Sequence, residues 1–360
     1  PEDRGECGLP IIRIQDLTGN TYDLGYYDGK YPERIEINNG DILISWSASL
    51  GVYVWNRGKA LLNQHIFKVV FDKVEINKRY FVYAVQFKLK EMEAKTHGAT
   101  MKHIVKKDFD STLIPYPSLK EQSRIAEIID SIAKSINMRQ KQLQKLDELV
   151  KARFVELFGA YPHNPMGWKT GTIRDVVTDV RYGSSRPAVD GGKYPYLRMN
   201  NITYGGELDL SDVKRIDVPE NELEKCTVRR GDVLFNRTNS KELVGKTCVY
   251  DRDEMMVLAG FVIRVRVNDV VLPEFLSAFL NTDFSKRTLL GMCKAAIGQA
   301  NINAQEMQNI GIYIPPIELQ REFVQFKNQT DKSKLAIQQS LDKLKTLRKS
   351  LMQEYYGQGE

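Results

Sequence analysis

Three short segments carry residue types that could do chemistry, and each lacks the rest of its machinery. Gly245-Lys246-Thr247 has the ending of a phosphate-binding loop, in which backbone N–H groups cradle phosphates and the lysine reaches them. The glycine such a loop needs five residues earlier is Ser240, so the cradling turn is not specified. Glu93-Ala94-Lys95 is the carboxylate–lysine half of a nuclease metal site, but no aspartate-bearing strand precedes it, and a solvated helix face accounts for it better. An amino-methyltransferase would carry Asn or Asp before Pro-Pro and an aromatic after it, whereas Pro315-Pro316 sits between Ile314 and Ile317. Cys7, Cys226, Cys248 and Cys293 form no Cys-x-x-Cys pair, and the four histidines form no pair at helical spacing, so no metal site is expected. No glycine-rich cofactor loop follows a strand. The chain is expected to have no catalytic centre, metal or cofactor of its own.

What it does carry is donor-rich loops. Arg, Lys, Asn, Gln and Ser on exposed loops can read base edges, while phosphates accept any cation or N–H donor. In the C-terminal half the candidates are Tyr182, Ser184, Ser185 and Arg186; then Arg198, Asn200, Asn201 and Tyr204; then Asn236, Arg237, Asn239 and Lys241. The last group follows a buried-looking strand, Val233–Phe235, and is the densest in donors; a polar hairpin without a partner is the competing reading. In the N-terminal half the candidates are Arg13 and Gln15, Ser45 and Trp46, and Arg57 and Lys59. Trp46 fits a base or sugar contact and equally an edge-of-core position. Arg13 and Arg198 lie on matching segments, as duplicated phosphate contacts or as duplicated ion pairs; the sequence leaves both open. The net charge of +6 is compatible with a polyanionic partner without demanding one. There is no signal-peptide pattern and no apolar run long enough to span a bilayer, which places the protein in the cytoplasm.

The elements that must position these loops occur twice. One constant step pairs Leu143 with Leu341, Leu146 with Leu344, Leu149 with Leu347 and Phe158-Gly159 with Tyr356-Gly357. The same step lays Pro117-Ser118-Leu119-Lys120-Glu121-Gln122 on Pro315-Pro316-Ile317-Glu318-Leu319-Gln320. Further upstream, Gly40-Asp41-Ile42-Leu43 matches Gly231-Asp232-Val233-Leu234, and Pro10–Ile14 matches Pro195–Met199. Each copy is a globular domain followed by a long helix. The domains read as mixed α/β. Strands are predicted at Ile11–Ile14, Ile42–Ser45, Ile66–Phe71, Val233–Phe235 and Val257–Val267, and helices near 78–90 and 273–290.

From Ser118 to Phe158 there is neither proline nor glycine. Apolar residues step by threes and fours through Ile125, Ile129, Ile132, Ile136, Leu143, Leu146, Val150 and Leu157. That is a seam on a helix of roughly 40 residues, about 60 Å long. The second copy, Pro316 to Tyr356, is polar from Lys327 to Lys334 and regains the stripe at Ile337, Leu341, Leu344, Leu347 and Leu351. Each stripe needs a partner. If the helices pair antiparallel, as a coiled coil with pseudo-twofold symmetry, the second returns to the first domain and both seams are buried. Packing of each helix on its own domain, or on another copy, is the alternative.

Laid out this way, the chain resembles the specificity subunits of type I restriction-modification systems. The resemblance rests on the two Pro-x-x-x-x-Gln helix entries, on Leu62–Val69, and on the paired Gly-Asp-Ile/Val-Leu segments, in the same order twice. It implies a first target-recognition domain at 1–116, a first long helix at 117–159, a second target-recognition domain at 160–314 and a second long helix at 315–357. The first domain is expected to lack a leading segment, since Gly167–Asp190 has no counterpart in it. The implied function is non-catalytic: each domain reads one half of a split site on double-stranded DNA. The helices set the gap and dock methyltransferase subunits, two of them, and nuclease-translocase subunits join the assembled complex. Two other readings stay open at this point. One is a coiled-coil scaffold without sequence-specific DNA reading; the other is part of a methyltransferase or nuclease enzyme.

Overall fold

The computed structural model describes residues 5–21, 23–46, 49–95, 109, 111–293 and 300–357. Two compact units make up the chain. The first comprises residues 1–140 together with 338–360, and the second residues 141–337. The boundaries cut both long helices, Leu119–Phe158 and Ile317–Tyr356, so each unit holds one globular domain and part of each helix. Among the described residues, no helix is long and apolar enough to cross a membrane.

In the first unit the strands are β1 (Leu9–Ile12), β2 (Tyr26–Tyr27), β3 (Glu36–Ile37), β4 (Ile42–Ser45), β5 (Gly51–Val54), β6 (Ala60–Leu62) and β7 (Ile66–Lys68). They form two sheets, ordered β2-β1-β6-β3 and β5-β4-β7. In the second unit they are β8 (Lys169–Thr172), β9 (Val177–Tyr182), β10 (Tyr194–Leu197), β11 (Lys214–Ile216), β12 (Thr227–Val228) and β13 (Val233–Asn236). There follow β14 (Thr238–Asn239), β15 (Thr247–Val249), β16 (Met256–Leu258), β17 (Val262–Val267), β18 (Ala300–Asn301) and β19 (Gly311–Ile314). The two main sheets are ordered β11-β10-β16-β12 and β15-β13-β17-β9.

One topology is therefore built twice. β1 runs antiparallel to β2 and parallel to β6, and β10 runs antiparallel to β11 and parallel to β16. Among the described residues the second sheet differs by one strand: β9 lies along β17, where the first unit's sheet is described only as far as β7.

The repeated Gly-Asp-Ile/Val-Leu segment has a local cause. Gly40 and Gly231 sit at φ +91° and +90°, a backbone region that side chains with a Cβ rarely enter. The following aspartate closes each turn: Asp41 accepts the N–H of Asn38 at 2.8 Å and Asp232 that of Arg229 at 2.9 Å. Each is also neutralised from the neighbouring strand, Asp41 by Lys68 at 2.9 Å and Asp232 by Arg266 at 2.8 Å. The turn delivers an apolar strand, β4 or β13, wholly buried in the centre of its sheet.

The Pro-x-x-x-x-Gln entries are fasteners. Gln122 and Gln320 are fully buried polar side chains, which must find partners. Gln122 accepts the N–H of Asn77 at 2.9 Å and donates to the Pro117 carbonyl at 2.8 Å. Gln320 accepts the N–H of Leu272 at 2.8 Å and donates to the Pro315 and Val270 carbonyls. Each glutamine satisfies a free donor at the start of a domain helix, Lys78–Lys95 or Pro273–Leu280, and ties that helix to the long one.

Within each unit the two long helices pack antiparallel. In the first unit Tyr356, at the end of the second long helix, is fully buried among Ile125, Ala126 and Ile129 near the start of the first. Its ring lies 5.1 Å from that of Tyr80 and 6.3 Å from that of Phe87. In the second unit Phe154 and Phe158, at the end of the first long helix, meet Phe323 near the start of the second and Phe275 of the domain. Along the seam Ile125, Ile129, Ile132 and Leu341 are buried, and Ile136, Leu143, Leu146, Val150, Leu157, Ile337, Leu344 and Leu351 are half-buried. Leu347 departs from the predicted seam: it is 47% exposed. In that turn half-buried Arg348 takes the inward position, near enough for its charge to act on Tyr83.

Two predicted elements are each broken in two. Residues 257–267 form the end of β16 and the whole of β17, parted by a turn at Ala259-Gly260-Phe261. Residues 273–290 form two helices, because the Thr282 hydroxyl accepts the N–H of Ser285 and starts Asp283–Met292 afresh.

Candidate nucleic-acid interface

In the second unit the sheet converges on one end. Tyr182 closes β9 and Asn236 closes β13, and both pair with the start of β17, at Ile263 and Val262. The chain then carries Arg237 over the Tyr182 ring, 4.8 Å from its centroid. The Arg237 N–H donates to the Phe261 carbonyl at 3.0 Å, and its guanidinium donates to the Gly260 carbonyl at 3.3 Å. The Tyr182 hydroxyl accepts the Ala304 N–H at 2.9 Å. Beside it β14 pairs with β18, and Thr238 donates to Asn301 at 3.0 Å. The result is a stacked cation with two partly exposed rings, Tyr182 and Phe261, and with amides from Asn239 and Asn301 alongside. Such a surface can stack on sugars or bases, read base edges and contact phosphates.

Asn236 is fully buried, and neither atom of its amide has a partner among the described residues. Ser45 holds the equivalent position in the first unit; it is also buried, and donates to the Ser49 carbonyl. Trp46, equivalent to Arg237, stacks on Phe67 at 5.7 Å and tilts against His65. A groove of about 700 Å³ runs along β7, lined by Arg34, Asn63, Gln64, Ile66, Phe67 and Lys68.

The remaining candidates lie elsewhere or are engaged. Arg13 and Arg198 each start a short helical turn and are held by acids: Arg13 by Asp16 at 3.3 Å, Arg198 by Asp212 at 2.8 Å. Both arginines therefore have an acid partner, but not an equivalent one: Asp16 lies three residues after Arg13, whereas Asn201 stands at that position after Arg198. Arg57 donates to the Asp16 carbonyl and lies over Trp55, and Lys59 pairs with Glu36 at 2.9 Å. Gln15 is half-buried on the short helix after Arg13. Ser184 is buried and accepts the Arg186 N–H, Ser185 and Lys241 are exposed, and Arg186 forms a forked pair with Glu222. Asn201 is buried, capping the Arg198 turn; Asn200 is exposed on that turn, and Tyr204 is exposed at the head of the hairpin that follows. Of the segments weighed for catalysis, Ala94 and Lys95 lie outside the described side chains. Lys246 turns inward to the Met199 and Ile202 carbonyls rather than toward any phosphate. No group of three or more His, Cys, Asp or Glu among the described residues could hold a metal ion.

Phe261, Asn301 and Lys286 belong to these surfaces without being singled out by the sequence pattern. Phe261 has one signal, an aromatic beside Gly260 in a turn; Asn301 has none, since its strand β18 joins the site only through the fold. Lys286 donates to the Gly245 carbonyl at 2.7 Å and lies over the Tyr204 ring. Burial, with the nearby charges of Lys246 and Lys151, pushes its pKa down to about 8.

The domain model "Type I restriction modification DNA specificity domain" matches residues 2–148 and again residues 165–346. The chain belongs to the type I restriction-modification DNA-specificity family. As a specificity subunit it is the non-catalytic, DNA-specifying component of such a system. It is 25% identical to the specificity subunit of the type I restriction enzyme EcoBI from Escherichia coli, over 88% of this chain and 72% of that one. Its fold is that of a solved type I specificity subunit from M. genitalium, with a TM-score of 0.53 at 14% identity, covering 99% of this chain and 90% of that one. A chain from a structural study of complex assembly and conformational transition in the type I R-M system aligns with a TM-score of 0.57 at 18% identity, over 90% of this chain and 84% of that one. The two matches of the domain model fall on the two copies of the topology. Specificity subunits of this form hold two domains, each followed by a long helix that packs against the other.

Proposed function

We propose that each globular domain of this specificity subunit reads one word of a split target on double-stranded DNA, and that the unread gap between the words is set by the long helices. The observation that carries this reading is the duplication itself: one topology occurs twice, with different side chains at matching sheet ends. Arg237 stands on Tyr182 where Trp46 stands on Phe67. Equivalent positions with unlike chemistry fit two readers of unrelated words. In the second domain the reading edge comprises Tyr182, Arg237, Asn239, Phe261 and Asn301; in the first it comprises Trp46 and the groove along β7. Two methyltransferase subunits dock on the helices, nuclease-translocase subunits join that core, and the assembly works in the cytoplasm.

Arg237 is the residue to test. In the assembled methyltransferase complex, Arg237→Ala should weaken methylation by the equivalent of about 1–3 kcal/mol and relax a position of one word only. Loss spread equally over both words would remove Arg237 from the reading edge. A scaffold without DNA reading predicts no change in sequence preference at all.

A further inference from the structure

The second long helix loses its apolar stripe between Lys327 and Lys334, and the seam alone gives no reason for it. Within the second unit this stretch carries its own polar fastenings. Lys327 pairs with Asp331, and buried Thr330 donates back to the Phe326 carbonyl at 3.0 Å. Lys334 reaches outward to two other elements. Its ammonium pairs with Asp147 of the first long helix at 2.8 Å and with Glu207 of the domain. Its side chain is only 19% exposed. Burial works against its charge, yet the hydrogen bonds with Asp147 and Glu207 hold its pKa above the ordinary lysine value.

Glu207 belongs to a tight hairpin. Ile202 and Leu208 bridge antiparallel, the Thr203 N–H donates to the Glu207 carbonyl at 2.9 Å, and the Glu207 N–H donates to the Thr203 hydroxyl at 3.0 Å. On the domain side the hairpin is held by Lys246, which donates to the Met199 and Ile202 carbonyls. At its head Tyr204 is 61% exposed, with Asn200 beside its base. One lysine thus ties the hairpin to the domain and another ties it to both long helices.

We infer that Lys334, with Asp147 and Glu207, is a positioning latch that fixes the second domain's 202–208 hairpin on the helix pair and so sets how that domain presents its word-reading surface. The polar interruption of the helix is its seat. The latch belongs to one half of the molecule only, because the repeat places Ile136 where Lys334 stands. The role in word reading rests on the function proposed above; the fastening itself does not.

The test has two arms. In the full-length subunit, amide hydrogen exchange across 203–208 should speed up roughly two- to fivefold in Lys334→Gln, the range open to a partly exposed ion pair, and more at low salt than at high. Lys334→Arg, which keeps the charge, should restore protection. In the assembled methyltransferase complex, Lys334→Gln should lower discrimination against single mismatches by a similar factor in one word and leave the other unchanged. Unchanged exchange at 203–208 would overturn the latch. Faster exchange with both words affected alike would reduce it to a general stabilising contact. If the wild-type complex shows no split word, the proposed function fails while the exchange arm still decides the fastening.

Discussion

At the residue scale the informative side chains are those whose surroundings dictate one role. Gln122 and Gln320 are legible in the sequence as a repeated motif but not as fasteners, because their partners Asn77 and Leu272 are distant in the chain. Arg13 and Arg198 are legible as equivalent, and only the fold supplies the acids that occupy them. Lys286 yields a prediction. Its pKa is pushed from 10.5 down to about 8 by burial and by two lysine neighbours, so between those values the unfolded chain binds more protons than the folded one. Stability linked to this group should therefore rise as the pH climbs from about 8 toward 10.5 and fall on the way back. Urea unfolding of wild type and Lys286→Met across that range should show wild type gaining relative to the variant as pH rises. A constant difference would mean that Lys286 titrates normally.

At the element scale the long helices are the most legible part, because a seam sustained over some forty residues fits a long paired helix and little else. Their observed ends, Leu119–Phe158 and Ile317–Tyr356, follow from the proline entries and from the glycines after Phe158 and Tyr356. The pattern fails where two neighbouring positions compete for one inward direction, as at Leu347 and Arg348. It also misses the breaks at Gly260 and Thr282, where a turn residue or a cap overrides apolar continuity. These contrasts have unequal energetic weight. Ile129→Ala removes a fully buried side chain from the contact with Tyr356 and should cost about 2–5 kcal/mol in unfolding free energy. Leu347→Ala, on an exposed turn, should cost less than about 0.5 kcal/mol. Equal losses would mean that the seam runs through Leu347 after all.

At the scale of the whole molecule, duplication makes the account testable as one claim. The order of motifs shows two copies of one plan, and the paired sheets and helix contacts carry the same plan. Among the described residues the copies diverge at strand β9 and at the sheet-end residues. Those differences lie on loops and sheet ends, where one sequence read alone has no periodicity to guide it; hence the candidate reading edge is only partly legible. Tyr182, Arg237 and Asn239 stand out by their density of donors, whereas Asn301 needs the β14–β18 pairing to bring it there. The most direct measurement is a genome-wide map of methylated sites after co-expression of this chain with the methyltransferase subunit proposed to dock on it. Two unlike readers on one helix pair should yield a single asymmetric motif of two short, unrelated words separated by a fixed unread gap. A continuous motif, or scattered methylation by a fully assembled complex, would contradict it.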